Sequence, residues 1–151
     1  MLELAAAIEA SGLAGFLRAS RWTYPAVNTA HVLGIALLVG AIIPMDLRLI
    51  GMWRRDVALP TVLRLLRPVA VAGALIAIAS GVLLFMVQAK EYVSVTLFYL
   101  KMALVLFGLL HALSWRGGLA AAPRLRQRTA GAISLAVWLT VLTCGRMIGY
   151  L

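Results

Sequence analysis

Apolar residues run along this chain in four long blocks, each closed at both ends by polar or charged positions. The blocks occupy residues 24–45, 66–89, 93–115 and 130–151. A helix that crosses the hydrocarbon of a bilayer needs about 20 mostly apolar residues, and each block reaches that length. None of them alternates with the period of two that a half-buried strand requires. Backbone in lipid must satisfy its own hydrogen bonds, so a helical bundle is the form that remains. The pattern predicts an all-α, integral membrane four-helix bundle, with residues 1–151 as a single membrane domain. Pro25 and Pro68 are expected in the first turns of their helices, where a missing N–H costs little.

Residues 1–21 are apolar too, but Glu3, Glu9, Ser11, Gly12 and Arg18 interrupt them. A cleaved signal opens on positive charge and ends at a small-residue site. This segment opens on Glu3. It is expected as a short N-terminal interfacial helix on the outer leaflet. Small residues recur at helix-packing spacing: Ala26, Ala30 and Gly34, then Gly73, Ala77 and Gly81, then Gly145 and Gly149. Such stripes let helices approach closely.

Composition agrees with the pattern. Hydrophobic residues make up 64% and charged residues 13%, against about 45–50% and about 25% in soluble domains. That excludes a disordered chain and an ordinary soluble enzyme. The excess of 14 Lys+Arg over 5 Asp+Glu would suggest a nucleic-acid partner in a soluble protein. Here the cations flank the spans instead, and no nucleic acid is expected. Arg48, Arg54, Arg55, Arg64 and Arg67 fall in the segment that joins the first two blocks, Arg67 at the very start of the second, and Arg116, Arg124, Arg126 and Arg128 between the last two. The middle connection has Lys90 beside Glu91. Positive loops stay in the cytoplasm, so a multi-pass protein of the bacterial inner membrane would put both termini in the periplasm. Trp53 and Trp115 fall at the inner interface, and Trp22, Tyr24, Tyr92 and Tyr150 at the outer one, as aromatic belts do. Cys144 is the single cysteine, so no intrachain disulfide forms.

Depth singles out the candidate chemistry. At 1.5 Å per residue, His31 lies roughly 10 Å, Lys101 roughly 12 Å and Arg146 roughly 8 Å from the outer face. Asn28 lies one turn above His31. Ionisable groups in hydrocarbon mark function or snorkel to the interface. Three helices bringing such groups to one level point to a shared outer-leaflet cavity. Two cations there, with no carboxylate at that depth, call for a bound anion: haem propionates, a phospholipid headgroup or a carboxylate substrate. His31 is the candidate metal ligand. His111 lies roughly 27 Å from the same face, too far to share a metal with His31 within one chain. It is expected near Asp46 and Arg48, which anchor a helix end. Cys144 and the methionines read as packing residues, and Gly117-Gly118 as a turn.

These residues carry a resemblance. Trp22-Thr23-Tyr24-Pro25, His31-Val32-Leu33-Gly34, Asp46-Leu47-Arg48-Leu49-Ile50-Gly51 and Gly145-Arg146-Met147-Ile148-Gly149-Tyr150 resemble an uncharacterised family of small bacterial four-helix membrane proteins. The resemblance implies a fold and no activity. His31 in the first span with its Asp46-Leu47-Arg48 ending, and Leu100-Lys101-Met102-Ala103-Leu104-Val105 with His111 further on, are similar to HemJ-type protoporphyrinogen oxidases and to the membrane part of copper-resistance D proteins. In the HemJ type the first-helix histidine binds haem b and a later lysine is required. That resemblance implies His31 as haem ligand and Lys101 as its partner.

Three functions compete. In the first, the chain binds haem b through His31, neutralises the propionates with Lys101 and Arg146, and passes electrons to or from quinone, alone or within a redox complex. In the second, it is a non-redox scaffold whose polar cluster binds lipid or partner helices. The third, a small transporter, lacks the broken spans and inverted repeat that transporters show. A homo-oligomer would bring two copies of one histidine together.

Overall fold

A computed structural model describes residues 1–54, 56–115 and 118–150. Arg55, Arg116, Gly117 and Leu151 lie outside the described residues, and with them part of the loop charge, half of the Gly117-Gly118 turn and the last residue of the fourth block. The described residues form helices α1 (Leu2–Glu9), α2 (Gly12–Ala19), α3 (Thr23–Ile50), α4 (Leu59–Val87), α5 (Ala89–Ser94), α6 (Thr96–Ser114) and α7 (Arg124–Ile148), with a 3-10 turn at Leu119–Ala121 and no strand. Helices α3, α4, α6 and α7 are long and apolar enough to cross a membrane. The chain is an all-α, multi-pass membrane protein.

Helix ends depart from the apolar blocks for one physical reason: apolarity marks lipid depth, whereas the backbone ladder ends where caps or breakers stop it. Helix α3 runs past Met45 through Asp46 and Arg48 and stops at Gly51, whose φ of 90° is the left-handed cap that glycine adopts without strain. Helix α4 starts at Leu59, so Pro60 occupies its first turn and Pro68 sits in the helix interior. The expectation that Pro68 opens this helix is corrected. Its arginines had masked seven further helical positions as loop. Helix α7 likewise starts at Arg124. At the other end of α4 the connection is not a loop. It forms α5, which Val95 in extended conformation separates from α6.

The four long helices stand in the order α4, α3, α7, α6, each packed along the next. Close backbone approach fixes the α3–α4 contact. A Cβ added at Gly34 would stand 2.6 Å from the Ala77 amide nitrogen, and one at Gly73 would stand 2.5 Å from that of Leu38. The α3–α7 contact closes over Gly131, whose added Cβ would meet Leu49 Cβ at 2.8 Å. The α6–α7 contact closes over Gly108, against the buried Trp138 ring. Leu38, Ala41, Ile42, Met45, Val62, Ala70 and Trp138 form the core between them. Helix α6 packs along α7 and meets α4 through side chains, including the Phe85–Phe98 stack at 5.5 Å. Val32, Leu33, Leu75, Leu106 and Leu110 remain exposed on the outward faces, as lipid contact requires.

Residues 1–21 form two helices rather than one, because Ser11 caps a new start by accepting from the Ala14 N–H. Both fold over the bundle end that carries the chain termini. Ala5, Ala14 and Leu17 are buried there, while Leu2, Leu4, Phe16 and Trp22 stay exposed. Arg18 donates to the Val87 carbonyl at 3.1 Å and to the Glu9 carbonyl. Lys90 pairs with Glu9 at 3.3 Å, not with its neighbour Glu91.

Candidate functional site

His31 projects from α3 onto α4. Its Nδ1 lies 3.1 Å from the Ser80 hydroxyl. That hydroxyl has one proton, which it donates to the Ile76 carbonyl one turn back. Its oxygen therefore meets the ring as an acceptor. Nδ1 carries the ring proton, and Nε2 keeps an open lone pair. Gly81 makes room for the ring: an added Cβ would lie 3.1 Å from His31 Cε1. Ser80 itself is buried at 6% exposure.

Lys101 reaches from α6 across α7. Its Nζ lies 3.4 Å from where a Cβ on Gly145 would be, and the buried Cys144 thiol stands beside it. The lysine charge acts on the His31 ring. Helices α3, α4, α6 and α7 thus each contribute at one level: His31, then Ser80 and Gly81, then Lys101, then Cys144 and Gly145.

Two other predicted site residues stand apart. Arg146 is exposed. Its guanidinium lies over the Tyr150 ring, 4.4 Å from the centroid, and donates to the Tyr150 hydroxyl. Successive helix residues point about 100° apart, so Gly145 facing Lys101 turns Arg146 away from it. Asn28 is exposed on α3.

His111, Asp46 and Arg48 do not form the group expected from sequence. His111 Nε2 lies 3.1 Å from the Ala130 carbonyl, and its ring stacks on Phe107 at 6.1 Å. Arg48 donates twice to the Val57 carbonyl, from Nε at 3.0 Å and from a terminal nitrogen at 2.7 Å, and so closes the α3–α4 loop. Asp46 faces Ser134 of α7. Each group answers a local backbone or side-chain demand on a different face.

Sequence alone missed Ser80, Cys144 and Gly145 as neighbours of the site. The adjacent Ser80-Gly81 pair was the available signal, a hydroxyl beside a gap at the depth of His31. At the arginine-rich end, a groove of about 290 Å³ runs between α4 and the loop after α6, lined in part by Arg64, Arg67, Trp115 and Leu119. No family model, curated protein or solved structure matches the chain.

Proposed function

We propose that this chain is a b-type haem protein of the bacterial inner membrane, with both termini outside, that passes electrons alone or as a subunit of a redox complex. One observation carries the reading: His31 Nδ1 lies 3.1 Å from the Ser80 hydroxyl, which donates its own proton to Ile76 and so accepts a hydrogen bond from Nδ1–H, leaving the Nε2 lone pair open near the Lys101 cation. A metal-binding histidine is held in this way, its second nitrogen donating to an oxygen that fixes tautomer and ring orientation. The donor set suits a haem with one protein ligand. His31 Nε2 would hold the iron, and Lys101 would neutralise a propionate. Gly81 and Gly145 keep bulk away from that level. Bound haem supplies one-electron chemistry, and the chain sets its potential through ligand and surroundings. The resemblance of His31 and Lys101 to the HemJ pattern supports the same assignment. The arginine-rich segments support the orientation. Quinone is the electron partner that a lipid-facing site would meet.

The test is the visible spectrum of protein purified from haem-replete cells, oxidised and reduced. A Soret band is expected. His31→Ala should abolish it, and Ser80→Ala should weaken haem affinity about 10–100-fold, as loss of such supporting hydrogen bonds does. Colourless wild-type protein would reject the haem reading in favour of a scaffold that binds lipid or partner helices.

A further inference from the structure

The chain has five carboxylic side chains, and four lie outside the four long helices. Glu3 and Glu91 are exposed, Glu9 pairs with Lys90 and Asp56 pairs with Arg54. The fifth, Asp46, is buried in α3 at 4% exposure. Its Oδ2 has no hydrogen-bond partner among the described residues. On α7 the carboxyl faces Ser134.

Charged groups on the neighbouring elements turn elsewhere. Arg48, on the same helix, is committed to the Val57 carbonyl. On α4, Arg64 and Arg67 line the groove toward Trp115 and Leu119. On α7, Arg124, Arg126 and Arg128 are exposed, and His111 of α6 meets Ala130. Among the described residues no cation balances Asp46. A bound metal cation fits no better. Hard cations such as Ca²⁺ and Mg²⁺ take about six or more oxygen ligands, and this contact is closed: an added Cβ at Gly131 would lie 3.0 Å from the Asp46 carbonyl oxygen.

An ionised carboxylate in such a place costs far more than an unpaired neutral group, so a group of this kind takes up a proton. We propose that Asp46 is a proton-binding site, a neutral carboxylic acid held between α3 and α7 with the bundle folded. The site stands independently of haem. Ionisable groups inside membrane bundles serve as proton relays, and Asp46 is the carboxyl within the long helices available for that work.

The chain has only two aspartates, Asp46 and Asp56. Full-length Asp56→Asn protein, made with 13C-carboxyl aspartate and placed in phosphatidylcholine vesicles, therefore reports on Asp46 alone. Infrared and NMR spectra at neutral pH are expected to show a protonated carboxyl, whose infrared band shifts in heavy water. The same signal in sodium-free and sodium-containing buffer is expected. A carboxylate signal at neutral pH would overturn the proposal. So would a carboxylate that appears only with sodium, since that identifies a metal-cation site. The wild-type side chain is read directly, so the result does not depend on whether an Asp46 variant folds.

Discussion

Arg146 lies over the ring of Tyr150, just past the end of α7, and hydrogen bonds to its hydroxyl. The pair satisfies the arginine locally, at the turn that follows its helix. Lys101 has no such arrangement and lies half-buried against Gly145. The two cations should therefore separate by mutation. Arg146→Met is expected to leave retention of an anionic ligand nearly unchanged, whereas Lys101→Met should weaken it clearly, because a buried negative charge loses its partner. Parallel binding or haem-retention assays on the two variants check this. Equal losses would place both cations on one ligand.

Gly34 and Gly40 lie on the same helix with opposite surroundings. At Gly34 a side chain would collide with the α4 backbone, whereas at Gly40 nothing lies within 4 Å. Gly34→Leu should separate α3 from α4 and destabilise the fold by about 3 kcal/mol or more, as overpacking of a closed contact does. Gly40→Leu should be tolerated, and the better helix propensity of leucine favours it. Accumulation and thermal aggregation in detergent compare the two. Normal behaviour of Gly34→Leu would contradict the close contact.

Glu9 accepts a hydrogen bond from the Lys90 backbone N–H at 2.8 Å. That bond, with the Lys90 ammonium nearby, holds the carboxyl below its ordinary value of 4.5. A carboxyl with a depressed value contributes stability above its unfolded titration and loses it as the pH falls through the folded one. Docking of residues 1–20 should thus be intact at neutral pH and loosen below about pH 4.5. Glu9→Gln should loosen it at all pH values. Amide hydrogen exchange of this segment measures both, and exchange indifferent to pH and to Glu9→Gln would refute the clasp.

Orientation follows from charge. Cysteines placed at Glu91 and Arg126, both exposed, should label from opposite sides of the membrane in intact cells, Glu91→Cys from outside and Arg126→Cys only after permeabilisation. Outside labelling of Arg126→Cys would invert the topology. The native Cys144 is buried and should contribute little signal.

The spans were legible because lipid imposes a length and a polarity on each of them. The glycine at Gly34 was legible as part of a small-residue stripe, and the structure puts it at the α3–α4 contact. The start of α4 was not legible. Arg64 and Arg67 look like loop residues to a hydropathy pattern, yet their helix continues past them to Leu59. The site was partly legible. Depth alone grouped His31 with Lys101, and the structure brings the Lys101 cation within electrostatic reach of the His31 ring. Depth carries no azimuth, so it grouped Arg146 with them as well, although that side chain faces Tyr150. Asp46 and His111 shared a level for the same reason while meeting different partners.

The contacts that fold α1 and α2 over the bundle end join residues far apart in the chain. Glu9 and Lys90 are separated by 81 positions, and Arg18 and Val87 by 69. A ribosome makes the first two helices long before it makes what they dock on. During synthesis their apolar faces must rest on the membrane surface while α3 and α4 insert. Closure at this end therefore follows insertion of the first hairpin, and it registers that both α3 and α4 have crossed. A chain in which only one of α3 and α4 had crossed would leave Glu9 and Lys90 on opposite sides of the bilayer, with no clasp to protect residues 1–20 from proteases.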